Sequence, residues 1–259
     1  MGYDILYFLI SIVATLLGSM TGAGGGVIMQ PVISLMNQYG AATISILISF
    51  TLIGMGIVNV GGHIYKKTKI DFRFAALMVL GAVPGGVIGG DILDYIIANV
   101  GSNEKVKSIQ NIILLIVMVI SVIYMNNRDK IKGHHFKKPV VIVSLAFALG
   151  VISSFLDIGG GPLNVSVMIF FFSIAAKDSA IYSVILIIFA QCAKMVSFFI
   201  TNGFNGYNLH VMPYMIIGGI LGGYFGAALN KKLSEKTIVN IFNIIQVVVI
   251  ITCLLNVIR

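Results

Sequence analysis

Charge is what this 259-residue chain has least of. Asp, Glu, Lys and Arg together make up 10% of it, whereas an ordinary soluble domain carries about 25%. Hydrophobic residues make up 58% and the mean hydropathy is +1.02. These values exclude a soluble globular domain and point to a chain whose solvent is a lipid bilayer. Tryptophan is absent, which excludes little, because Tyr and Phe also serve at membrane interfaces. Only two cysteines occur, Cys192 and Cys253, both inside apolar runs and without the spacing of a disulfide framework or a metal site. No His/Cys/Asp/Glu cluster has metal-ligand spacing, so no metal is expected. The spans also lack the Asp/His or Glu/His pair that an intramembrane enzyme or assembly factor would need. No catalytic residue is therefore assigned, and the chain is not read as an enzyme. The first residues, Met1-Gly2-Tyr3-Asp4, carry no positive charge, so the first apolar run is not expected to be a cleavable signal. The net charge of +8 falls almost entirely in loops. It reads as basic cytoplasmic loops rather than as a nucleic-acid surface.

Glycine, by contrast, is abundant, and it is placed oddly. Two triple glycines, Gly24-Gly25-Gly26 and Gly159-Gly160-Gly161, interrupt long apolar runs. Three consecutive glycines cost a helix roughly 3 kcal/mol relative to alanine. Apolar segments fall at roughly 5–36, 41–65, 72–92, 108–125, 140–176, 179–200, 209–229 and 237–258, where about 20 residues suffice for one span. The first and fifth segments are the exceptions. Each is too long for one crossing, too short for two, and contains a triple glycine. A broken helix or a re-entrant hairpin fits both, and such a break is tolerated at membrane depth only where the freed backbone is buried or lines a cavity.

The breaks also mark an internal repeat. Gly24 and Gly159 are 135 positions apart. The Gly85–Gly90 and Gly218–Gly223 runs are 133 apart, and Ala42-x-x-Ser45 and Ala180-x-x-Ser183 are 138 apart. The expected architecture is an all-α polytopic membrane protein of about eight hydrophobic segments in two repeats, 1–127 and 139–259, joined by a basic linker, 128–138. Loop charge then sets the topology. The basic loops carry Lys66, Lys67, Lys69 and Arg73; Arg128, Lys130, Lys132, Lys137 and Lys138 with Asp129; and Lys231, Lys232 and Lys236. The stretch with Asp91, Asp94, Glu104, Lys105 and Lys107 is net acidic, and 201–208 is uncharged. All three basic loops reach the cytoplasm only if the fifth segment enters and returns. Each repeat then makes an odd number of crossings, the two halves are inverted, and both termini, Arg259 included, lie outside.

Two ionisable residues lie deep in apolar segments, Asp157 and Lys194, and such residues are functional candidates by default. Either they form a structural ion pair, or Lys194 attracts an anion while Asp157 handles a coupling proton or sodium ion. The two readings are compatible. Half-helices starting after Gly26 and Gly161 would present N-termini inside the membrane, where partial positive charge and free N–H groups bind anions. Pro162 suits the first turn of the second. The matched Gly-Gly-x-x-Gly-Gly helices read instead as tight packing through small residues, a surface that also suits sliding. Polar neighbours complete the candidate site: Thr21, Gln30 and Asn59 in the first half, and Asn164, Ser166, Gln191 and Ser197 in the second. A gapless offset of 135 sets Asn59 opposite Lys194, whereas an offset of 138 sets it opposite Ser197. His63 is expected at the interface, and His134-His135 in the basic loop. The glycine motifs are neither a P-loop nor a dinucleotide turn, so no cofactor is expected.

Gly18-Ser19-Met20-Thr21-Gly22-Ala23-Gly24-Gly25-Gly26 with Pro31, then Gly159-Gly160-Gly161-Pro162-Leu163 and the later double-glycine helices, resembles the TauE/SafE family of sulfite and organosulfonate exporters over essentially the whole chain. The resemblance implies a multi-pass plasma-membrane transporter of small anions such as sulfite, sulfoacetate or related sulfur compounds, coupled to an ion gradient. It implies that Gly22, Gly24, Gly25, Gly26, Pro31, Gly159, Gly160, Gly161 and Pro162 belong to the site. The family usually carries glycine where this chain has Asp157, and often proline where it has Ser166. The partners that follow are the bilayer, a small anionic substrate and a coupling proton or sodium ion, and a homo-oligomer is compatible with such a chain. A passive anion channel is the alternative reading within the same architecture. Substrate is expected between the two breaks, nearer the second.

Overall fold

A computed structural model describes residues 2–65, 68, 70–128, 130–131 and 133–258, apart from the side chains at positions 2 and 3. The loop charges Lys66, Lys67, Lys69, Asp129 and Lys132, and the terminal Arg259, lie outside the described residues. Among the described residues the chain forms ten helices and no strand: α1 (Gly2–Thr21), α2 (Gly26–Met36), α3 (Ala41–Tyr65), α4 (Phe72–Val100), α5 (Asn103–Asn127), α6 (Pro139–Phe155), α7 (Gly161–Phe172), α8 (Ala176–Thr201), α9 (Met212–Lys232) and α10 (Glu235–Ile258). Seven are long and apolar enough to cross a membrane, while α2, α6 and α7 are shorter. The two over-long segments are thus each split in two, α1/α2 and α6/α7, at their triple glycines.

Local chemistry sets the helix ends. Asp71 caps α4 by accepting from the N–H groups of Arg73 and Phe74 at 2.9 and 3.0 Å, and Gly101 closes it in the left-handed region at φ 68°. The predicted acidic loop after the third segment is therefore only Gly101 and Ser102. Asp91 and Asp94 lie in the last turns of α4, and Lys105 and Lys107 in the first turns of α5. Lys107 is 7% exposed rather than solvated.

Both split segments turn back to the face they came from. Near the start of α1, the Tyr7 hydroxyl donates to Gln38, just past α2, at 3.3 Å. Ahead of α6, the N–H groups of His134 and Phe136 donate to Phe170 and Phe171 at the end of α7, at 2.6 and 3.0 Å. Further contacts fix the remaining ends. Ala41 meets Asn103 at 3.1 Å and Asp4 meets His210 at 3.5 Å on the face where the chain begins. Asp71 meets Tyr182 at 2.9 Å and Lys177 meets the Lys231 carbonyl at 3.0 Å on the face of the linker. The first half therefore starts on the N-terminal face and ends on the linker face, and the second half does the reverse. This is consistent with inverted repeats.

The packing has the same reciprocity. α1 lies on α9 as α6 lies on α4; α3 lies on α9 as α8 lies on α4; α2 lies on α10 as α7 lies on α5. Glycine ladders make the closest of these contacts, as small residues do where helix backbones approach in a membrane. Gly81, Gly85 and Gly89 of α4 sit on the backbone of Val143, Phe147 and Val151 in α6. Gly218, Gly222 and Gly226 of α9 sit on Phe8, Ile12 and Leu16 in α1. The structural partner of Gly85 is thus Gly222, 137 positions on, and not Gly218 as the sequence offset of 133 suggests. Glycines recur every four residues in both helices, so a slip of one turn still sets glycine on glycine. The offset of 138 is likewise replaced. Leu52 packs on Gly159 as Ile187 packs on Gly24, which sets α3 and α8 in register at 135. His63, expected at the interface, is buried near the end of α3.

A Cβ on Gly85 would lie 2.3 Å from the Phe147 carbonyl oxygen, whereas one on Gly61 meets nothing within 4 Å. Gly85→Ala and Gly222→Ala should each lower the melting temperature in detergent and the yield of monodisperse protein. Gly61→Ala should leave both unchanged or slightly raised. Fluorescence-detected size-exclusion chromatography after a heating series reads the difference.

Candidate functional site at the crossed helix breaks

The two breaks meet in the middle of the molecule. After α1 the chain passes through Gly22 and Gly24 at φ 78° and 67°. After α6 it passes through Asp157, Gly159 and Gly160 at φ 56°, 66° and 74°. Positive φ is free for glycine and costs an L-residue about 1–2 kcal/mol, less for Asp. The contact itself is backbone on backbone and reciprocal. Gly26 lies on the Asp157 and Ile158 carbonyls, and Gly161 lies on Ala23, whose carbonyl oxygen would sit 1.5 Å from a Cβ there. Ala23 and Ile158 are equivalent positions of the repeat, as are Gly26 and Gly161. In this conformation each break packs directly on the backbone of the other.

Half-helices α2 and α7 both start at this crossing and run to opposite faces. Their caps, Gly25 and Gly160, make no side-chain capping bond. Each N-terminus carries a partial charge of roughly +0.5, so two positive helix ends converge. Pro162 lies in the first turn of α7, where its missing N–H costs nothing.

Beside the crossing, Asp157 and Lys194 pair, 1% and 2% exposed. The ammonium of Lys194 has three protons and three acceptors: the Asp157 carboxylate, Ser45 Oγ at 2.7 Å and the Ser154 carbonyl at 2.8 Å. Ser45 donates in turn to Asp157 at 2.9 Å, and Gln110 Nε2 lies 3.3 Å from the other carboxylate oxygen. The carboxylate is thus held from α3, α5 and α8. The lysine also closes the C-terminus of α6, where a cation meets the negative end of the helix dipole. Asn59 does the equivalent work without charge. Its Nδ2 binds Ser19 near the C-terminus of α1, and Ser19 is the repeat partner of Ser154. The structure thus pairs Asn59 with Lys194 by symmetry but does not bring them together.

The remaining sequence candidates divide. Gly22 carries its carbonyl to Ser183 at 2.7 Å, and Gly25 packs on Thr15. Asn164 binds Ser183 at 3.3 Å, and Gln191 accepts from Ser49 at 2.8 Å. Gln30 reaches Ser34 at 3.5 Å, while Pro31 and Pro162 offer their carbonyls to Asn256 and Ser121. Gln30 Oε1, Asn59 Oδ1, Asn164 Oδ1 and Gln191 Nε2 are all buried and have no partner among the described residues. Thr21 bonds only locally, to the Leu17 carbonyl and the Ala23 N–H. Ser197 lies apart, bound to Asp91 on the exposed side of α8. Sequence reasoning missed Ser45 and Ser154 as ligands of the ion pair. It also missed Gln110, Ser121 and Gln246, which form a polar seam where α5 and α10 meet the half-helices; Ser121 joins Ser166 at 2.8 Å and also Gln246. A buried Gln at a helical position that otherwise reads apolar is the signal that could have found them.

The model of the sulfite exporter TauE/SafE family matches residues 7–253. The chain belongs to this family. A curated relative, the probable membrane transporter protein YunE of Bacillus subtilis (strain 168), is 25% identical over 274 residues, covering 95% of each chain. No solved structure matches. The chain is therefore a multi-pass membrane transporter of the TauE/SafE family and not an enzyme.

Within this family member the charged pair is an addition to a scaffold that closes without it, as the Gly22/Asn59 half shows. Removing one partner of a buried pair typically costs 3–5 kcal/mol. Lys194→Asn alone should destabilise the protein by about that amount. Lys194→Asn with Asp157→Gly, which copies the Asn59/Gly22 arrangement, should recover most of the loss. Melting temperatures of the two single variants and the double variant decide it, and strictly additive losses would contradict the pairing.

Proposed function

We propose that the protein moves small anions, sulfite, organosulfonates or related sulfur compounds, across the plasma membrane by alternating access coupled to a proton or sodium ion. The observation that carries this is the convergence of two uncapped half-helix N-termini beside a buried lysine. It is an anion-attracting centre with no fixed excess of positive charge, because Asp157 balances Lys194. A proton or sodium ion reaching Asp157 weakens its hold on Lys194. The freed ammonium and the helix ends then take the anion once the crossing opens. Gln30, Asn59, Asn164 and Gln191 supply buried polar atoms for that opened state. The filled crossing argues for a carrier that must rearrange in each cycle.

The orientation follows from charge. Arg73, Arg128, Lys130, Lys137, Lys138, Lys177, Lys231, Lys232 and Lys236 belong to the linker face, and Asp4, Asp91, Asp94 and Glu104 to the other. The positive-inside rule sets the linker face in the cytoplasm. An Asn205→Cys variant should then react with a membrane-impermeant maleimide from outside intact cells, and labelling only after permeabilisation would reverse the orientation.

Flux in proteoliposomes tests the function. A panel of sulfite, sulfate and C2 sulfonates, with pH and sodium gradients imposed separately, should show saturable, gradient-dependent movement of at least one anion. Asp157→Asn should abolish the dependence on the gradient. Flux that rises linearly with concentration and ignores both gradients would indicate a channel, and no flux of any of these anions would overturn the substrate class.

A further inference from the structure

A cavity of about 730 Å³ opens on the N-terminal face, outside the ion-pair site. Its walls are the end of α2 (Ser34, Asn37), the start of α5 (Glu104, Lys107, Asn111) and the end of α10 (Asn256). Two of these side chains are buried although the cavity beside them is open. Lys107 is 7% exposed, and its one hydrogen bond among the described residues goes to Asn37 Oδ1, at 2.8 Å. Asn111, one helical turn on, is fully buried and donates its amide to the Lys107 carbonyl at 2.7 Å. That leaves Asn111 Oδ1 buried and without a partner among the described residues, in a residue that lines the cavity. An unmet buried acceptor is unfavourable, so a ligand that donates to it binds more tightly than one that does not.

The cavity also joins the centre through polar groups. Asn256 donates to the Pro31 carbonyl at 2.9 Å, and Ser34 receives Gln30 Nε2 at 3.5 Å. Both contacts lead back along α2 towards its start at the crossing. Glu104 and Lys105 on the rim offset each other in charge, which leaves Lys107, among the described lining residues, as the one cation for an acid group.

From these features we infer that the cavity is an anion-docking site at the mouth of the transport path. It takes a singly charged acid group, sulfonate or phosphodiester, on Lys107, and a hydroxyl or amine of the same molecule on Asn111. Its place on the path rests on the anion-transport reading; its binding chemistry does not. The acid group has two sources, a free solute or the headgroup of an anionic lipid such as phosphatidylglycerol.

The test is titration calorimetry on the full chain in phosphatidylcholine nanodiscs with 2-hydroxyethanesulfonate and ethanesulfonate, which differ by one hydroxyl. The hydroxylated probe should bind about tenfold more tightly. Asn111→Leu should remove that difference, and Lys107→Gln should weaken both probes about tenfold while Lys107→Arg restores them. The wild-type comparison needs no variant to fold. Where the headgroup is the occupant, phosphatidylglycerol nanodiscs suppress the titration, and native mass spectrometry shows a retained phosphatidylglycerol that Lys107→Gln loses. Equal affinity for the two sulfonates, or wild-type affinity and lipid retention in Lys107→Gln, overturns the assignment. Flux on the same preparations separates the two readings. Lys107-dependent binding without gradient-driven flux sinks the transport reading alone, and flux without such binding sinks the docking site alone.

Discussion

Everything in this fold depends on two broken helices touching through their backbones. Gly161 rests on Ala23, and Gly26 rests on the Asp157–Ile158 carbonyls, so any side chain at either glycine pushes the two halves apart. That single constraint explains why the breaks are glycine rather than another helix breaker. Proline would end a helix as well, but its ring would fill the space in which the other chain lies. It also explains why the breaks are buried. Freed N–H and C=O groups at membrane depth need protein around them, and each break supplies part of the wall of the other. The helix pairs α1/α9 and α6/α4, closed by glycine ladders, hold the two hairpins in place from outside.

On this symmetric frame the chemistry is asymmetric. The C-terminus of α1 is closed by the neutral Asn59, and that of α6 by Lys194 with Asp157 as its counter-ion. Both do the same structural work, satisfying carbonyls that a helix end leaves open. Only one of them carries an ionisable pair. In the proposed coupling, a proton or sodium ion at Asp157 changes the balance on one side of the crossing and leaves the other untouched. The two repeats therefore exchange roles in shape but not in energy. Under the proposed mechanism the resting conformation is the one this asymmetry favours, and the preference shifts with the ion gradient.

The sequence made the architecture legible because its strongest signals were covalent and local. Triple glycine inside an over-long apolar run forces a break, and loop charge decided that the second break turns back; the hairpins α1/α2 and α6/α7 confirm both. Register was harder. Helices α4 and α9 carry glycines every fourth residue, so Gly85 matched Gly218 as well as Gly222 on sequence alone; only the backbone contacts separate the two. The ion pair was half legible. Burial of Asp157 and Lys194 followed from their place in apolar runs, but their joint ligands Ser45, Ser154 and Gln110 come from three other helices, and no spacing in one chain encodes a contact between four. Lys107 was misread for a related reason. Its neighbours Glu104 and Lys105 are charged and exposed, and a single lysine among them looks solvated until α2 and α10 are packed beside it.

The filled crossing also constrains how transport occurs. In the proposed carrier cycle substrate cannot pass while Gly161 lies on Ala23, so the hairpins must separate. Lys194 ties α8 to the end of α6 through Ser154 and to α3 through Ser45, while Asp157 is held by α5 through Gln110. The α4/α6 ladder is closed mainly backbone on backbone, whereas in the α1/α9 ladder Thr15 and Ser19 also donate to the Gly218 and Gly223 carbonyls. In the proposed cycle, movement of the hairpins would break the Ser183–Gly22 and Asn59–Ser19 bonds together with the Lys194–Ser154 bond. Among these bonds, those of Lys194 are the ones that the cation proposed to bind at Asp157 would weaken.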